Sequence, residues 1–330
     1  MMLLLSTPQL EGLVDREAIA EAVSRGFAEI AEGRADQPGP TSMSTPADSN
    51  RFILMSAVSE ASDLAGVKLL ADVPDNAGRR LPTQRSMILV VDRVDGSPVA
   101  LLHGAVPTRV RTAAASAVAT RTLSRPDSRT LGLIGAGALA REHALALRDV
   151  RPFDRVVVWS RTRERAEGLA AELRDEGWPT TIDVVASPRE VLEEADVVCT
   201  LTPSVEAIVE GAWLRPGQHL NVVGARPRAD EREVDGAAMA RSSIWVDDRA
   251  TARTKSGDLL RAIAEGAISE ADVVGTIGEV VAGLARGRRS PEEITLFDSV
   301  GIGAQDVAVA DVFIRAARAQ GLGTTVDLSA

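Results

Sequence analysis

The sequence has 330 residues, with 37 lysines and arginines against 47 aspartates and glutamates, a net charge of −10 and a pI near 5.0. With 45% hydrophobic and 25% charged residues, its composition is that of a globular protein, and its length suits two domains. An acidic chain lacks the concentrated basic face that phosphate contacts require, so we expect no nucleic-acid partner.

The cysteine and histidine content and the first twelve residues exclude several other classes of protein. Cys199 is the single cysteine, which excludes an internal disulfide and a multi-cysteine zinc site and suits a reducing cytoplasm. The opening MMLLLSTPQLEG is too short for a membrane span and lacks the basic start of a signal peptide. The three histidines show no metal-ligand spacing. We therefore expect a soluble, cytoplasmic protein with no membrane partner and no metal.

Tyrosine is absent and lysine is scarce. The absence of tyrosine excludes a reductase mechanism in which a tyrosine is the proton donor. Lys68 and Lys255 are the only lysines among the 37 basic residues. Lysine can be tuned to give and take protons whereas arginine cannot, so a retained lysine is a candidate catalytic group. Lys68 alternates with apolar neighbours on a predicted strand, where it is either an exposed edge residue or catalytic. Lys255 is predicted to lie on a helix surface.

The first third of the chain mixes helices with short β-strands. An N-cap aspartate, an apolar stripe and a following glycine predict a helix over residues 16–32, and the Pro- and Ser-rich residues 35–50 are predicted to form a loop. An alanine-rich helix is predicted over 108–123. The strands predicted between them, the last two joined by a hairpin at Asp95-Gly96, are 52–55, 66–70, 86–92 and 99–103.

From residue 130 onward, short apolar strands alternate with helices. The predicted strands are 130–134, 155–159, 182–185, 196–201, 219–223 and 243–246, and the helices include 138–150, 163–176 and 188–194. The last of these helices opens with a capping box from Ser187 to Glu190 and with proline at its first position. This alternation predicts a parallel sheet covered on both faces. A final helix is predicted over 306–320.

A glycine-rich turn joins the first of these strands to its helix. In LGLIGAGALARE, Gly135 allows the tight turn, Gly137 lets the backbone approach a pyrophosphate, and Ala140 permits close packing of the helix on the strand. The pattern alone is weak, but it lies between a strand and a helix and is followed by a second strand. It favours a dinucleotide site over a tight turn without ligand.

The end of the second strand bears on the choice of cofactor. An NAD site usually has an acidic residue there to bind the ribose hydroxyls. This chain has Ser160-Arg161-Thr162 instead, and arginine at a helix start is unfavourable unless an anion is nearby. A 2′-phosphate is such an anion, so NADP(H) is favoured over NAD(H). The alternative is a solvated basic turn.

Arginines also begin the alanine-rich helix, in Thr108-Arg109-Val110-Arg111-Thr112. An arginine at this position can form a bidentate clamp on a substrate carboxylate, and Thr112 can reach a cofactor phosphate. Ordinary surface arginines are an equally good interpretation.

In order and content, these segments resemble the ornithine cyclodeaminase/mu-crystallin family. The resemblance covers residues 51–311 and is carried by segments such as GVKLLADVPDN, TRVRTAAASAVA, GLIGAGALAREHALAL, VVVWSRT and EEITLFDSVGIGAQDVAVAD. It implies an α/β fold with a Rossmann-type doubly wound NAD(P)-binding domain over residues 124–305. A smaller α+β domain for substrate binding and dimerisation covers residues 1–123, and the C-terminal helix (306–330) returns to it. A homodimer is implied.

The resemblance also implies residue roles. Lys68 falls on the substrate-side acid/base position, and Arg51 and Arg111 fall on positions that bind the substrate carboxylate. The cofactor-contacting positions are Thr112, Gly135, Gly137, Ala138, Leu139, Ser160, Arg161, Thr162, Thr200, Leu201 and Thr202. A segment that closes over the nicotinamide is matched by Ser299, Val300 and Gly301.

One stretch departs from the family pattern. Cyclodeaminases have an aspartate shortly after the strand that ends in Val-Gly, but here the stretch is VVGARPRADEREVD, with Arg226 at that place and Asp230 as the candidate replacement. We therefore predict an NADP(H)-dependent imine or ketimine reductase, or an amino-acid dehydrogenase, acting on a small 2-imino or 2-amino carboxylate. The alternatives are a cyclodeaminase that uses bound NAD catalytically and a non-catalytic ligand-binding protein of the mu-crystallin type.

Overall fold

The chain forms two compact units in the computed structural model, which describes residues 1–178, 181–225 and 230–328. One unit contains residues 1–111 together with the C-terminal segment from Gly301, and the other contains Thr112–Val300. The final helix therefore packs in the first unit although it follows the second in sequence.

The first 123 residues contribute seven strands and three helices to the described part of the chain. In order they are β1 (Met2–Leu5), α1 (Thr7–Gly12), α2 (Arg16–Ala31), β2 (Ala35–Asp36), β3 (Thr41–Met43), β4 (Arg51–Ser59), β5 (Leu64–Asp72), β6 (Gln84–Asp92), β7 (Pro98–His103) and α3 (Ala105–Leu123).

The remaining elements alternate more regularly. They are β8 (Thr130–Ile134), α4 (Ala138–Leu147), β9 (Arg155–Trp159), α5 (Arg163–Asp175), β10 (Thr181–Val184), α6 (Pro188–Glu194), β11 (Val197–Thr200), β12 (His219–Val222), α7 (Gly236–Ala240), β13 (Ser243–Val246), α8 (Arg249–Lys255), α9 (Gly257–Ala264), β14 (Val273–Thr276), α10 (Ile277–Val281), β15 (Thr295–Asp298), α11 (Gly303–Gln320) and β16 (Thr324–Val326). None of the described helices is long and apolar enough to cross a membrane.

The first unit is built on a mixed sheet in the order β16-β1-β7-β6-β5-β4-β2, with β3 also paired to β4. Its neighbours are antiparallel except β1 and β7, and α11 packs across β4, β5 and β6 and against α2. Burial alternates along β6, and the three buried residues of β5, Leu64, Lys68 and Asp72, lie on one face, as expected for strands with one face covered by a helix. Lys68 lies on β5 opposite Met55 and Ile88, so it is on a central strand and not an edge strand.

The prediction of a loop over residues 35–50 is wrong in part. Two short strands in this segment, β2 and β3, pair antiparallel with β4. Their residues are exposed or half-buried, so no hydrophobic alternation marks them in the sequence. They form because β4, at nine residues, offers backbone donors and acceptors along its outer edge.

The second unit is a fully parallel sheet in the order β10-β9-β8-β11-β12-β15-β13-β14. The order reverses between β8 and β11, which opens a crevice at the carboxyl ends of these strands, where dinucleotides bind in doubly wound sheets. The predicted Rossmann-type fold is confirmed. Strands β14 and β15 were not predicted from the sequence.

Local capping fixes the helix starts that the sequence predicted. The Asp15 side chain accepts a hydrogen bond of 3.1 Å from the backbone of Ala18 at the start of α2. Ser187 Oγ accepts one of 3.3 Å from the backbone of Glu190 at the start of α6, whose first residue is Pro188. Both bonds satisfy a backbone donor that the first turn of a helix leaves without a partner.

Candidate functional site

The first unit buries a lysine–aspartate pair beneath α11. Lys68 Nζ lies 2.7 Å from Asp306 Oδ2, and both side chains are 1% exposed. Lys68 is directed towards the helix because the side chains of β5 alternate between the two faces of the sheet. Asp306 occupies the first turn of α11. The interpretation of Lys68 as an exposed edge residue is therefore excluded.

Arg111 completes this cluster from α3. Its Nη1 donates a 2.9 Å hydrogen bond to Gln305 Oε1, and its Nε lies 3.5 Å from Asp306 Oδ1. Arg111 is buried, so it is not an ordinary surface arginine. The cluster combines two cationic side chains with one carboxylate, which leaves an excess of one positive charge. A buried excess charge is costly unless an anion neutralises it, so the cluster is suited to a monoanionic ligand.

Gly301 borders the same guanidinium group. Its φ of +79° lies in the left-handed region, and a Cβ on this residue would overlap Arg111 Nη1. The positive φ favours glycine at this position, and any side chain there would push the Arg111 guanidinium aside. The family resemblance predicts Gly301 in a segment over the nicotinamide, and the structure places it against Arg111, the predicted carboxylate-binding arginine.

The environment of Lys68 changes its proton affinity. The pKa of its ammonium group is lowered from 10.5 to about 8: burial is the main cause, Asp306 opposes the decrease, and the nearby Arg111 adds to it. A pKa near working pH allows a side chain both to hold and to release a proton, which general acid–base catalysis requires.

Arg51 lies apart from this cluster. It is the exposed first residue of β4, opposite Asp72, and it shares the face of the sheet that carries Lys68. Four residues along a strand separate the two positions, which corresponds to about 13 Å. The structure of this unit does not bring Arg51 against Lys68 or Arg111, and its role stays a prediction.

The second unit contains the glycine turn at the carboxyl end of β8. Gly135 has a φ of +125°, and a Cβ there would lie 2.6 Å from the carbonyl oxygen of Leu201. The turn can therefore pack against the end of β11 only with glycine. Gly137 is the N-cap of α4, nothing lies within 4 Å of where its Cβ would be, and Ala138 is exposed. The first backbone N–H groups of α4 lack partners within the helix, an arrangement that fits a pyrophosphate.

The basic turn after β9 contains the residues that bear on cofactor choice. Ser160 is half-buried, Arg161 and Thr162 are exposed, and the Thr162 backbone donates a 3.4 Å hydrogen bond to Ser160 Oγ. Within residues 1–178, 181–225 and 230–328, Arg161 forms no ion pair. No carboxylate of the described residues neutralises its guanidinium, which suits an anionic ligand but equally a solvated turn.

Glu233, which was not predicted from the sequence, forms hydrogen bonds with residues at the carboxyl ends of β11 and β12. The fully buried carboxylate accepts hydrogen bonds from Thr200 Oγ1 (2.6 Å), from the backbone and Oγ1 of Thr202 (2.6 and 2.7 Å) and from the backbone of Gly224 (2.7 Å). Burial raises the pKa of Glu233, and these hydrogen bonds oppose the rise. Thr200 and Thr202 were predicted to contact the cofactor, whereas a single glutamate in a loop gives no sequence signal.

The other predicted cofactor-contacting residues lie after β15, on α3 and on α4, and each is buried or half-buried. Ser299 follows β15, its backbone donates a 2.9 Å hydrogen bond to the carbonyl of Val222, and its Oγ lies 3.2 Å from Asp247 Oδ2. Val300 is half-buried, and Thr112, on α3, is buried. Leu139 lies in the first turn of α4 and is half-buried.

The stretch that departs from the cyclodeaminase pattern is described only in part. Arg226 lies outside the described residues. Asp230 is exposed, and its backbone oxygen accepts a 3.2 Å hydrogen bond from Arg261. The idea that Asp230 replaces the family aspartate stays a prediction.

Two of the histidines are fully buried. His143 Nδ1 lies 2.8 Å from the carbonyl oxygen of Leu139, and its Nε2 lies 3.0 Å from Ser116 Oγ. Burial lowers the pKa of His143 to about 4 and the pKa of His219 to about 3, so both rings are neutral near pH 7. Their contacts are those of structural residues.

Comparisons with known proteins place the chain in a family. The model of the ornithine cyclodeaminase/mu-crystallin family matches residues 1–320. The Delta(1)-pyrroline-2-carboxylate reductase of Bacillus cereus is 31% identical over 328 residues, which cover 99% of this chain and 100% of that protein.

Two solved structures share the fold over nearly the whole chain. The Delta(1)-pyrroline-2-carboxylate reductase of Thermococcus litoralis, in complex with NADH and L-proline, is 35% identical with a TM-score of 0.93, covering 98% of this chain and 100% of that one. An archaeal alanine dehydrogenase dimer with bound NAD is 31% identical, also with a TM-score of 0.93, covering 99% of each chain. The predicted resemblance is confirmed: the chain belongs to the ornithine cyclodeaminase/mu-crystallin family, and it is an NAD(P)-dependent oxidoreductase.

Proposed function

We propose that this chain reduces the C=N bond of a small 2-imino carboxylate, cyclic or linear, with hydride from NADPH, and that it catalyses the reverse oxidation of the amino acid. The observation that carries the proposal is the buried cluster of Lys68, Asp306 and Arg111, whose excess positive charge matches a single carboxylate. The relatives named as pyrroline-2-carboxylate reductases support the same class of substrate.

Arg111 binds the substrate carboxylate in this proposal. Its side chain is buried and held in place by Gln305 and Asp306, so little conformational entropy is lost when a ligand binds. A guanidinium group donates from a rigid fork that matches the two oxygens of a carboxylate. Gly301 leaves room beside this fork, because any side chain there would overlap it.

Lys68 supplies the proton for the imine nitrogen. Reduction of C=N places a hydride on carbon and a proton on nitrogen, and a protonated nitrogen makes the carbon a better hydride acceptor. The Lys68 ammonium, with its pKa of about 8, is protonated near pH 7 and releases its proton more readily than an exposed lysine. In the oxidative direction the neutral amine takes the proton back.

The second unit holds the dinucleotide in this proposal. The open space at Gly137, the free N–H groups at the start of α4 and the close packing of Gly135 on Leu201 support a pyrophosphate site. The bound dinucleotide supplies the hydride. NADPH is proposed over NADH because Arg161 is exposed and the three residues directly after β9, Ser160-Arg161-Thr162, include no acid.

The proposed assembly is a homodimer formed through the uncovered face of the first unit's sheet. Side chains on this face alternate with those that contact α11, and Phe52, Leu69, Met87 and Leu89 are 39%, 36%, 52% and 38% exposed. A contiguous apolar patch of this kind marks an interface more often than it faces water. The archaeal alanine dehydrogenase, a dimer with bound NAD, supports dimerisation but not the choice of this face.

A substrate screen tests the proposed activity. Oxidation of NADPH would be followed with cyclic 2-imino carboxylates and with 2-keto acids plus ammonia or methylamine. Turnover with at least one such substrate, and its loss when the carboxylate is absent, are the expected results. Ammonia release from a diamino acid without net change in cofactor absorbance would instead indicate a cyclodeaminase. Tight cofactor binding without turnover on any substrate would indicate a binding protein.

A further inference from the structure

We infer that Asp306 is a positioning residue that holds Lys68 in its proton-donating form and fixes the position of Arg111 beside it. The inference rests on the proposed function, because it concerns how the buried cluster of that site works. Asp306 was not among the residues that the sequence singled out, and it lies in the part of α11 that packs over the centre of the sheet.

The geometry uses both carboxylate oxygens of Asp306. Oδ2 lies 2.7 Å from Lys68 Nζ, and Oδ1 lies 3.5 Å from Arg111 Nε. Asp306 therefore lies between two cationic side chains, Lys68 on β5 and Arg111 on α3, both distant from it in sequence. The preceding residue, Gln305, accepts a hydrogen bond from Nη1 of the same guanidinium. The first turn of α11 thus sets the orientation of both cationic groups.

The charge of Asp306 matters because the cluster is buried. Without it, Lys68 and Arg111 would be two like charges in a site from which water is excluded, and an ammonium can escape this cost by losing its proton. Among the described residues, Asp306 and Arg111 are the charged groups that act on Lys68. Its neighbours on the adjacent strands, Met55 on β4 and Ile88 on β6, are apolar and buried.

The substitution that tests this inference is Asp306→Asn, which keeps the size of the side chain and removes its charge. We expect the ammonium of Lys68 to lose its proton about 1–3 pH units lower than in the unmodified protein, the range for removal of an opposite charge at this distance. The alkaline limb of the pH profile of kcat/KM should move down by the same amount, since kcat/KM reports groups of the free enzyme.

The chain has only two lysines, which permits a readout that does not depend on activity. Protein labelled with ¹³C at lysine Cε gives two NMR resonances, and the variant Lys255→Arg identifies the one from Lys68. The titration of that resonance is then followed in the unmodified protein and in Asp306→Asn. Asp311→Asn is the matched control, because Asp311 lies on the same helix but pairs with Arg315.

The outcomes separate the inference from the proposed function. A downward shift of the Lys68 titration in Asp306→Asn, with none in Asp311→Asn, supports the inference even if no imine is ever turned over. An unchanged Lys68 titration in a folded, NADPH-binding Asp306→Asn variant overturns it. If that variant does not fold, Asp306→Glu replaces it. A Lys68 titration within about half a pH unit of the unmodified protein, with a reduced kcat, then supports the inference, and a lower titration overturns it.

Discussion

Replacement of Arg111 by lysine would test most directly whether the first unit binds a carboxylate. Arg111 donates to Gln305 Oε1 at 2.9 Å and faces Asp306 at 3.5 Å, so only part of its five-donor fork is used within the protein. A lysine at this position keeps the charge but donates from one point, and it cannot serve Gln305, Asp306 and both oxygens of a ligand together.

The expected loss follows from this geometry. One of two charge-assisted hydrogen bonds to the substrate is lost, and each contributes about 1.5–3 kcal/mol. That free energy corresponds to a decrease in kcat/KM of roughly 10- to 150-fold for a 2-imino carboxylate. For the same cyclic imine without its carboxylate, kcat/KM should change little, because that substrate makes no contact with the fork.

The assay compares the two imines by the oxidation of NADPH, with the NADPH affinity measured separately by fluorescence. Arg109→Lys is the matched control: Arg109 lies two residues earlier on α3, but its side chain is half-exposed and forms two hydrogen bonds to Glu11, of 3.0 and 2.7 Å. Equal losses for both imines in Arg111→Lys, or an equal loss in Arg109→Lys, would refute the assignment of Arg111 to the carboxylate.

Four further changes have defined expected results. Lys68→Ala should retain NADPH binding but lower kcat by about 10²–10⁴-fold. Near-normal turnover in this variant would remove the lysine from the mechanism. In the unmodified enzyme, kcat/KM for reduction should fall as the pH rises through the pKa of Lys68 near 8. Arg161→Ser should reduce kcat/KM for NADPH by about tenfold or more and leave NADH unaffected, because one charge-assisted contact is removed; equal effects on both would contradict the 2′-phosphate assignment. Met87→Asp should convert the proposed dimer to monomers in sedimentation experiments, since a charge would be buried at the proposed interface. A mass unchanged from that of a dimeric unmodified protein would show that this face is not the contact. Glu233→Gln should lower the free energy of unfolding by about 1–3 kcal/mol in denaturant titrations, because its amide would face a hydrogen-bond donor; unaltered stability would mean that the four hydrogen bonds contribute nothing.

Signals between near neighbours in sequence determined much of the second unit. The turn around Gly135, the capping box at Ser187 and the alternation of apolar strands with helices each involve residues within a few positions of one another. Such patterns reflect backbone geometry and capping, so they are visible without tertiary contacts. They sufficed for the parallel sheet and for the position of the glycine turn. The same signals did not reveal β14 and β15, although they are as long as β10 to β13, which were predicted.

The chemistry of the first unit was decided by tertiary contacts. The sequence singled out Lys68 and Arg111 by residue type and by resemblance, but it left the exposure of both open. Arg111 and Gln305 are 194 residues apart in the chain, and only the packing of α11 onto the sheet brings Gln305 and Asp306 against the two cations. Burial and charge proximity set the pKa of Lys68, and neither is encoded in its neighbours along the strand. Glu233 could not be predicted for the same reason: its hydrogen-bond partners, Thr200 and Gly224, lie at strand ends that only the folded structure brings to it.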